Sequence, residues 1–253
     1  MVKKLLLLCC SVMLLSCTSS KKVFYLQDAG AVKSESVNYQ NTLQPDDNLL
    51  ITITAEEPEL ANDFNMMYLY ARSTQSASVI NNDNLYSYLV DQNGQIDFPV
   101  LGKIKVAGLT RIQAEQKLKD LLGVYIKNPG VNLRVLNFKV SVVGEVARPG
   151  WQNVTGDRIT LFEALSGAGD LTIYGSRKDI MLIREKDGAK QIVSLDITDP
   201  NIINSEYYYL AHNDMIYVRP NKTRVNSSVI GPNLTVGLSA LGLLVTVIAL
   251  SVK

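Results

Sequence analysis

Two uncharged apolar stretches, one near each end, limit what the rest of this chain can be. Lys3 and Lys4 precede an apolar run over residues 5–15. About 11 residues are too few to cross a bilayer comfortably. The run closes on Leu14-Leu15-Ser16-Cys17, and a basic flank, a short apolar core and a small residue before a cysteine form a bacterial lipoprotein signal. Cleavage after residue 16 makes Cys17 the first residue and the lipidation site. Cys9 and Cys10 leave with the leader, so the mature chain keeps no thiol for a disulfide, a metal or a nucleophile. A diacylglycerol with an added acyl chain such as palmitate anchors firmly.

Residues 234–252 carry no charge. A helix of about 19 residues rises roughly 28 Å, close to the apolar thickness of a bilayer, about 30 Å. Arg219, Lys222 and Arg224 precede the run and Lys253 follows it. These features predict a membrane-spanning helix over 233–253. Within it Thr235, Ser239, Gly242 and Thr246 are spaced by four, three and four, which sets them on one helical face. A face of small, weakly polar residues packs against another helix or lines a pore.

The ends leave a body large enough for one sizeable core or two small ones. Of 25 basic and 24 acidic residues, Lys3 and Lys4 depart with the leader, leaving a balance that carries no nucleic-acid footprint. Residues 17–40, polar at first and weakly periodic after, read as a lipid-anchored tether. Residues 49–54 are β-branched and short, a strand preceded by a turn at 43–47. Residues 56–85 read as an irregular contact loop. Asn93-Gly94 between two alternating runs predicts a hairpin. Thr110 with Gln113, and Thr160 with Glu163, are capping boxes that each open a short helix. Lys186-Asp187-Gly188 marks a further hairpin, and 213–218 a last strand. The approach to that strand, 210–214, echoes 43–47. Two weakly similar α+β units follow, over 41–136 and 137–220, with a linker at 221–232.

Several of these segments resemble a known family. Phe98-Pro99-Val100-Leu101-Gly102, Val106-Ala107-Gly108-Leu109-Thr110 and Asn128-Pro129-Gly130-Val131 resemble the polysaccharide export domain of bacterial outer-membrane export lipoproteins. Pro45-Asp46-Asp47 is similar to that family's Pro-Gly-Asp turn, with Asp46 in the glycine's place, and Pro58-Glu59-Leu60 matches its Pro-Glu-Leu. Residues 143–150 and 164–169 resemble the β-grasp (SLBB) domain that follows in the same proteins. The resemblance implies an α+β fold: a polysaccharide export domain, one β-grasp (SLBB) domain and a C-terminal transmembrane helix. It further implies a homo-oligomeric ring, often an octamer. That ring passes capsular polysaccharide or exopolysaccharide through the outer membrane. It is coupled to an inner-membrane polysaccharide co-polymerase that is often a tyrosine kinase.

Chemistry that would make the chain an enzyme is hard to find. His212 is the single histidine and reads as a turn residue before a strand. Asp46 and Asp47 suit turn capping better than glycoside hydrolysis. No phosphate loop, metal-ligand set or cofactor motif is present. Tyr207, Tyr208 and Tyr209 offer flat faces for sugar contact or a strand-edge aromatic cluster, and Tyr68 and Tyr70 share that choice. The expected function is therefore a non-catalytic export channel subunit, with no cofactor and no nucleic-acid partner. A sugar-binding, membrane-anchored lipoprotein without a pore is the alternative.

Overall fold

The computed structural model describes residues 23–28, 30, 32–33, 41–66, 86–186, 188–229 and, of the terminal run, 236–237, 239–240, 242–244 and 246–247. The leader, Cys17, Tyr68, Tyr70 and Thr235 lie outside them.

Two hydrophobic cores form, one on each side of residue 137. The first is built on strand β1 (Asn48–Thr54), flanked by β2 (Tyr88–Leu89) and β5 (Gly130–Val135), both antiparallel to it. Alternation along β1 turns Leu49, Ile51 and Ile53 inward. They meet Ala114, Leu118 and Leu122 on α2 (Arg111–Leu122). The expected capping box starts that helix: Thr110 accepts from the Gln113 N–H, and the Gln113 side chain accepts from the Thr110 N–H. Between β1 and β2, residues 58–64 are helical rather than irregular: α1 (Pro58–Ala61) runs into a 3-10 turn. Asn65 closes it by accepting from the Ile53 N–H and donating to the Ile53 and Ala61 carbonyls.

The Asn93-Gly94 turn forms, but its arms part. β2 pairs with β1, whereas β3 (Gln95–Phe98) pairs with β4 (Gly102–Lys105). The Gly94 carbonyl accepts from the Val106 and Ala107 N–H groups, which fastens the turn to the chain after β4. The next turn needs left-handed backbone at Val100 (φ 66°) and Gly102 (φ 71°).

The second core lies under a five-stranded sheet in the order β10-β9-β12-β6-β7. These strands are β6 (Lys139–Gly144), β7 (Gly150–Asn153), β9 (Gly175–Lys186), β10 (Ala189–Leu195) and β12 (Met215–Pro220). β6 and β12 are parallel at its centre; the other pairs are antiparallel. Helix α3 (Leu161–Gly167), opened by the Thr160–Glu163 capping box, packs Leu161, Ala164 and Leu165 into this core. A small ladder of β8 (Ile159–Thr160) with β11 (Tyr209–Leu210) closes one end. The sequence after β12 turns into α4 (Lys222–Val229).

Part of the expected tether is docked. Leu26 and Gln27 donate backbone N–H groups to the Ile197 and Thr198 carbonyls. Tyr25 donates to Asp170 at 2.6 Å and lies against Phe162. Residues 25–27 thus strap onto the second domain.

The expected C-terminal transmembrane helix is not borne out. Among the described residues no helix is long and apolar enough to cross a membrane, which says nothing of a β-barrel. Among the described residues the longest continuous helix, α2, has 12 residues and rises about 18 Å, well short of about 30 Å. α4 has 8 residues and is largely polar. Hydropathy alone suggested the span, and composition does not guarantee a continuous helix of spanning length. Ser239, Gly242 and Thr246 are helical and exposed. The Thr246 hydroxyl donates back to the Gly242 and Leu243 carbonyls.

Two consequences are measurable. Burial, then the hydrogen bond to Asp170, raises the Tyr25 phenol from 10.0 to about 12. The docked state therefore holds a proton that the released strap gives up between pH 10 and 12. The Tyr25 contribution is complete below about pH 10 and is lost as pH rises through about 12. A spectrophotometric tyrosine titration of Tyr25→Phe against the parent should lose one phenol titrating near pH 12, rather than one near 10. In the second core, Asp214→Ala leaves Arg184 without its buried carboxylate, an expected loss of about 3–5 kcal/mol. Urea unfolding followed by the fluorescence of Trp151, the single tryptophan, on β7, measures it.

Candidate functional site

The same turn occurs twice, and its two copies touch. In each, an apolar residue sinks into a core (Leu43, Leu210), a non-glycine residue takes left-handed backbone (Asp46, φ 69°; Asn213, φ 64°), and an aspartate follows. Asp47 accepts the Gln44 N–H at 2.9 Å, and Asp214 accepts the Ala211 N–H at 2.7 Å. Each aspartate N–H returns to the carbonyl three residues back. A strand starts directly after each turn, β1 or β12. The local reason is shared: an aspartate that accepts a backbone N–H three residues back closes the turn.

Both carboxylates are buried, Asp47 at 2% and Asp214 at 1% exposure, so each needs hydrogen-bonding partners. Arg184, on β9, reaches Asp214 through Nε at 3.0 Å and Nη2 at 2.6 Å, and also donates to the Tyr209 carbonyl. Burial pushes the Asp214 carboxyl up; Arg184, the Ala211 N–H and His212 pull it back without cancelling the effect. Asp47 finds its partner in the other domain: His212 Nδ1 lies 2.5 Å from Asp47 Oδ1. The imidazole meets Phe138 edge-on, and its Nε2 is buried with no partner among the described residues. Asn137 completes the joint by accepting from the Asn48 N–H and donating to the Asp46 carbonyl.

Beside this joint the two domains leave a cleft of about 890 Å³. One wall is the start of α2 and the end of β5; the other is the end of β7 and the loop 154–158 that leads to β8. Asp47 and His212 are part of its lining. Arg111 crosses its mouth to Asp157 at 3.1 Å while also pairing with Glu115 at 2.9 Å. Burial works against the Arg111 charge, but Asp157 and Glu115 outweigh it and raise its pKa. Asn41 donates to the Asp157 carbonyl from the same side. Arg134 and Arg158 also line the walls, and the Arg158 guanidinium lies 5.1 Å from the Tyr209 ring centroid.

The residues singled out from sequence are distributed unevenly around this site. Tyr209 borders it through Arg158. Tyr208 packs against Tyr209 and Phe162, and Tyr207 lies under Arg184. All three are half-buried, and burial raises the phenols of Tyr207 and Tyr208. Ser239, Gly242 and Thr246 do not line the cleft. Sequence reasoning passed over Arg111, Arg134, Arg158 and the joint role of His212. The echo between 43–47 and 210–214 was the one signal that pointed there. Among the described residues no group of three or more histidine, cysteine, aspartate or glutamate side chains is placed to hold a metal ion.

Asp47→Ala removes the joint and the Gln44 cap together. Hydrogen-exchange mass spectrometry should show amides of both turns, 44–47 and 211–214, exchanging faster by about tenfold or more, equivalent to roughly 1.4 kcal/mol. Acceleration confined to the first turn would mean that the domains are not coupled through this contact.

Comparison with known proteins bears on both domains. Residues 35–136 match the family described as polysaccharide biosynthesis/export protein, and residues 138–218 match the SLBB domain. A curated relative, the EPS I polysaccharide export outer membrane protein EpsA of Ralstonia solanacearum, is 29% identical over 193 residues, 74% of this chain and 50% of its own. A protein of the same name from Ralstonia nicotianae is 33% identical over 148 residues, 57% of this chain and 38% of its own. The chain thus spans half or less of the length of these relatives.

Proposed function

The chain carries a polysaccharide biosynthesis/export domain followed directly by an SLBB domain, the pairing of the export lipoproteins it resembles, and on that premise we propose that it is a non-catalytic subunit of an outer-membrane apparatus exporting capsular or exopolysaccharide. That ordered pairing, over 35–136 and 138–218, is the observation that carries the reading. The names of the Ralstonia relatives support the outer membrane as its location and extracellular polysaccharide as its cargo.

Several finer features belong to the same proposal. Acyl chains on Cys17 hold the protein at the membrane. From there to Tyr25, about eight residues span at most roughly 29 Å, so the docked strap keeps the second domain close to the lipid. Copies of the chain assemble in a ring, with Thr235, Ser239, Gly242 and Thr246 as a small-residue face for packing against a neighbour. An inner-membrane co-polymerase supplies the polymer and the energy for its movement.

A second reading, a sugar-binding lipoprotein without a pore, is favoured by one observation, the cleft between the domains with its mixed polar and apolar walls. Size in mild detergent separates the two: a ring runs at several times the 27.9 kDa of one chain, a binder near that mass. For export itself, cells lacking the protein should lose surface polysaccharide and retain polymer inside the envelope, with recovery on return of the parent gene. Normal surface polymer in those cells would rule export out.

A further inference from the structure

On the walls of the cleft between the domains, two arginines stand apart from the ion pairs that hold the joint. Asp47 is committed to His212, and Asp157 to Arg111. Arg111 is further neutralised by Glu115. Arg134 and Arg158 also line the walls, and neither has a carboxylate within ion-pair distance among the described residues. Both are exposed, and Arg158 is held in place by the Tyr209 ring rather than by an acid. Exposed Asn132 and Asn153 add neutral amides on opposite walls. At the floor, His212 has a side chain only 8% exposed and an Nε2 with no partner.

These features suit one kind of ligand. Guanidinium groups recognise carboxylates through paired N–H donors. Amides suit hydroxyl groups, which both donate and accept. A cleft of about 890 Å³ is within the usual size of a small-ligand site. We infer that the junction cleft binds a carboxylate-bearing stretch of polysaccharide. Arg134 and Arg158 hold the carboxylates, and the asparagine amides take hydroxyls. The inference rests on the export reading for its cargo, and it places the contact between the domains rather than on the tyrosine cluster.

The test uses the purified full-length chain in detergent and two probes of equal length, tetragalacturonate and neutral maltotetraose, by isothermal titration calorimetry. Tetragalacturonate should bind at least tenfold more tightly than maltotetraose and weaken as salt is raised. Arg134→Gln and Arg158→Gln should each weaken it tenfold or more. Both side chains are exposed, so thermal unfolding should be unchanged and the loss cannot be assigned to misfolding. Equal binding of the two probes, no binding of either, or retention of affinity in both variants would overturn the site. That failure differs from failure of the export reading. Loss of surface polymer without the protein, alongside no oligouronate binding, rejects the cleft and keeps export. Oligouronate binding as expected in a protein whose loss leaves surface polymer normal keeps the cleft and rejects export.

Discussion

The contact between Asp47 and His212 sets the relation of the two domains. A carboxylate this deeply buried is costly unless a cation or several donors meet it. The Gln44 N–H supplies one donor from within the turn. The imidazole, the remaining partner, belongs to the turn that starts β12 in the other domain. The contact therefore ties the start of β1, the central strand of the first sheet, to the start of β12 at the centre of the second. Val135, packed against both cores, is the apolar counterpart of this polar joint.

The two turns are alike in backbone but not in how their charge is satisfied. Asp214 is complete within its own domain, because β9 brings Arg184 beside it. Asp47 is not complete within the first domain. The asymmetry gives a direction of dependence: the second domain can bury its acid alone, whereas the first buries its acid only against the second. A repeated local motif thus serves as an internal staple in one place and as a joint in the other. What differs is the neighbouring strand, not the turn.

Much of this architecture was legible in the sequence because its signals are local. Both capping boxes formed as spaced, since Thr with Gln or Glu three residues on satisfies donors within one turn. Asp46 takes the left-handed backbone implied by its standing in a glycine's place, and aspartate tolerates that region better than bulky residues do. The parts that were not legible depend on partners far along the chain. The arms at Asn93-Gly94 separate because β1 and β4 compete for them, and no local pattern records that competition. The docked strap at 25–27 depends on carbonyls at 197 and 198. His212 looked like an ordinary turn residue because its role is defined by a carboxylate 165 positions away. The terminal run misled because hydropathy reports composition rather than helix length.

The cleft follows from how the domains are joined. Two domains fused through one continuous apolar core leave little room for a polar gap, because water is excluded along the whole seam. Here the cores are separate, and the seam is held by directional contacts: Asp47 with His212, Asn137 with both sides, Arg111 and Asn41 with Asp157. Directional contacts fix orientation at a few points and leave open space between them. The gap is walled by arginine and asparagine together with apolar side chains. It is well suited to a hydroxyl-rich chain that exchanges one hydrogen-bonding shell for another. The same polar joint that makes the first domain depend on the second therefore also gives the cleft its chemistry.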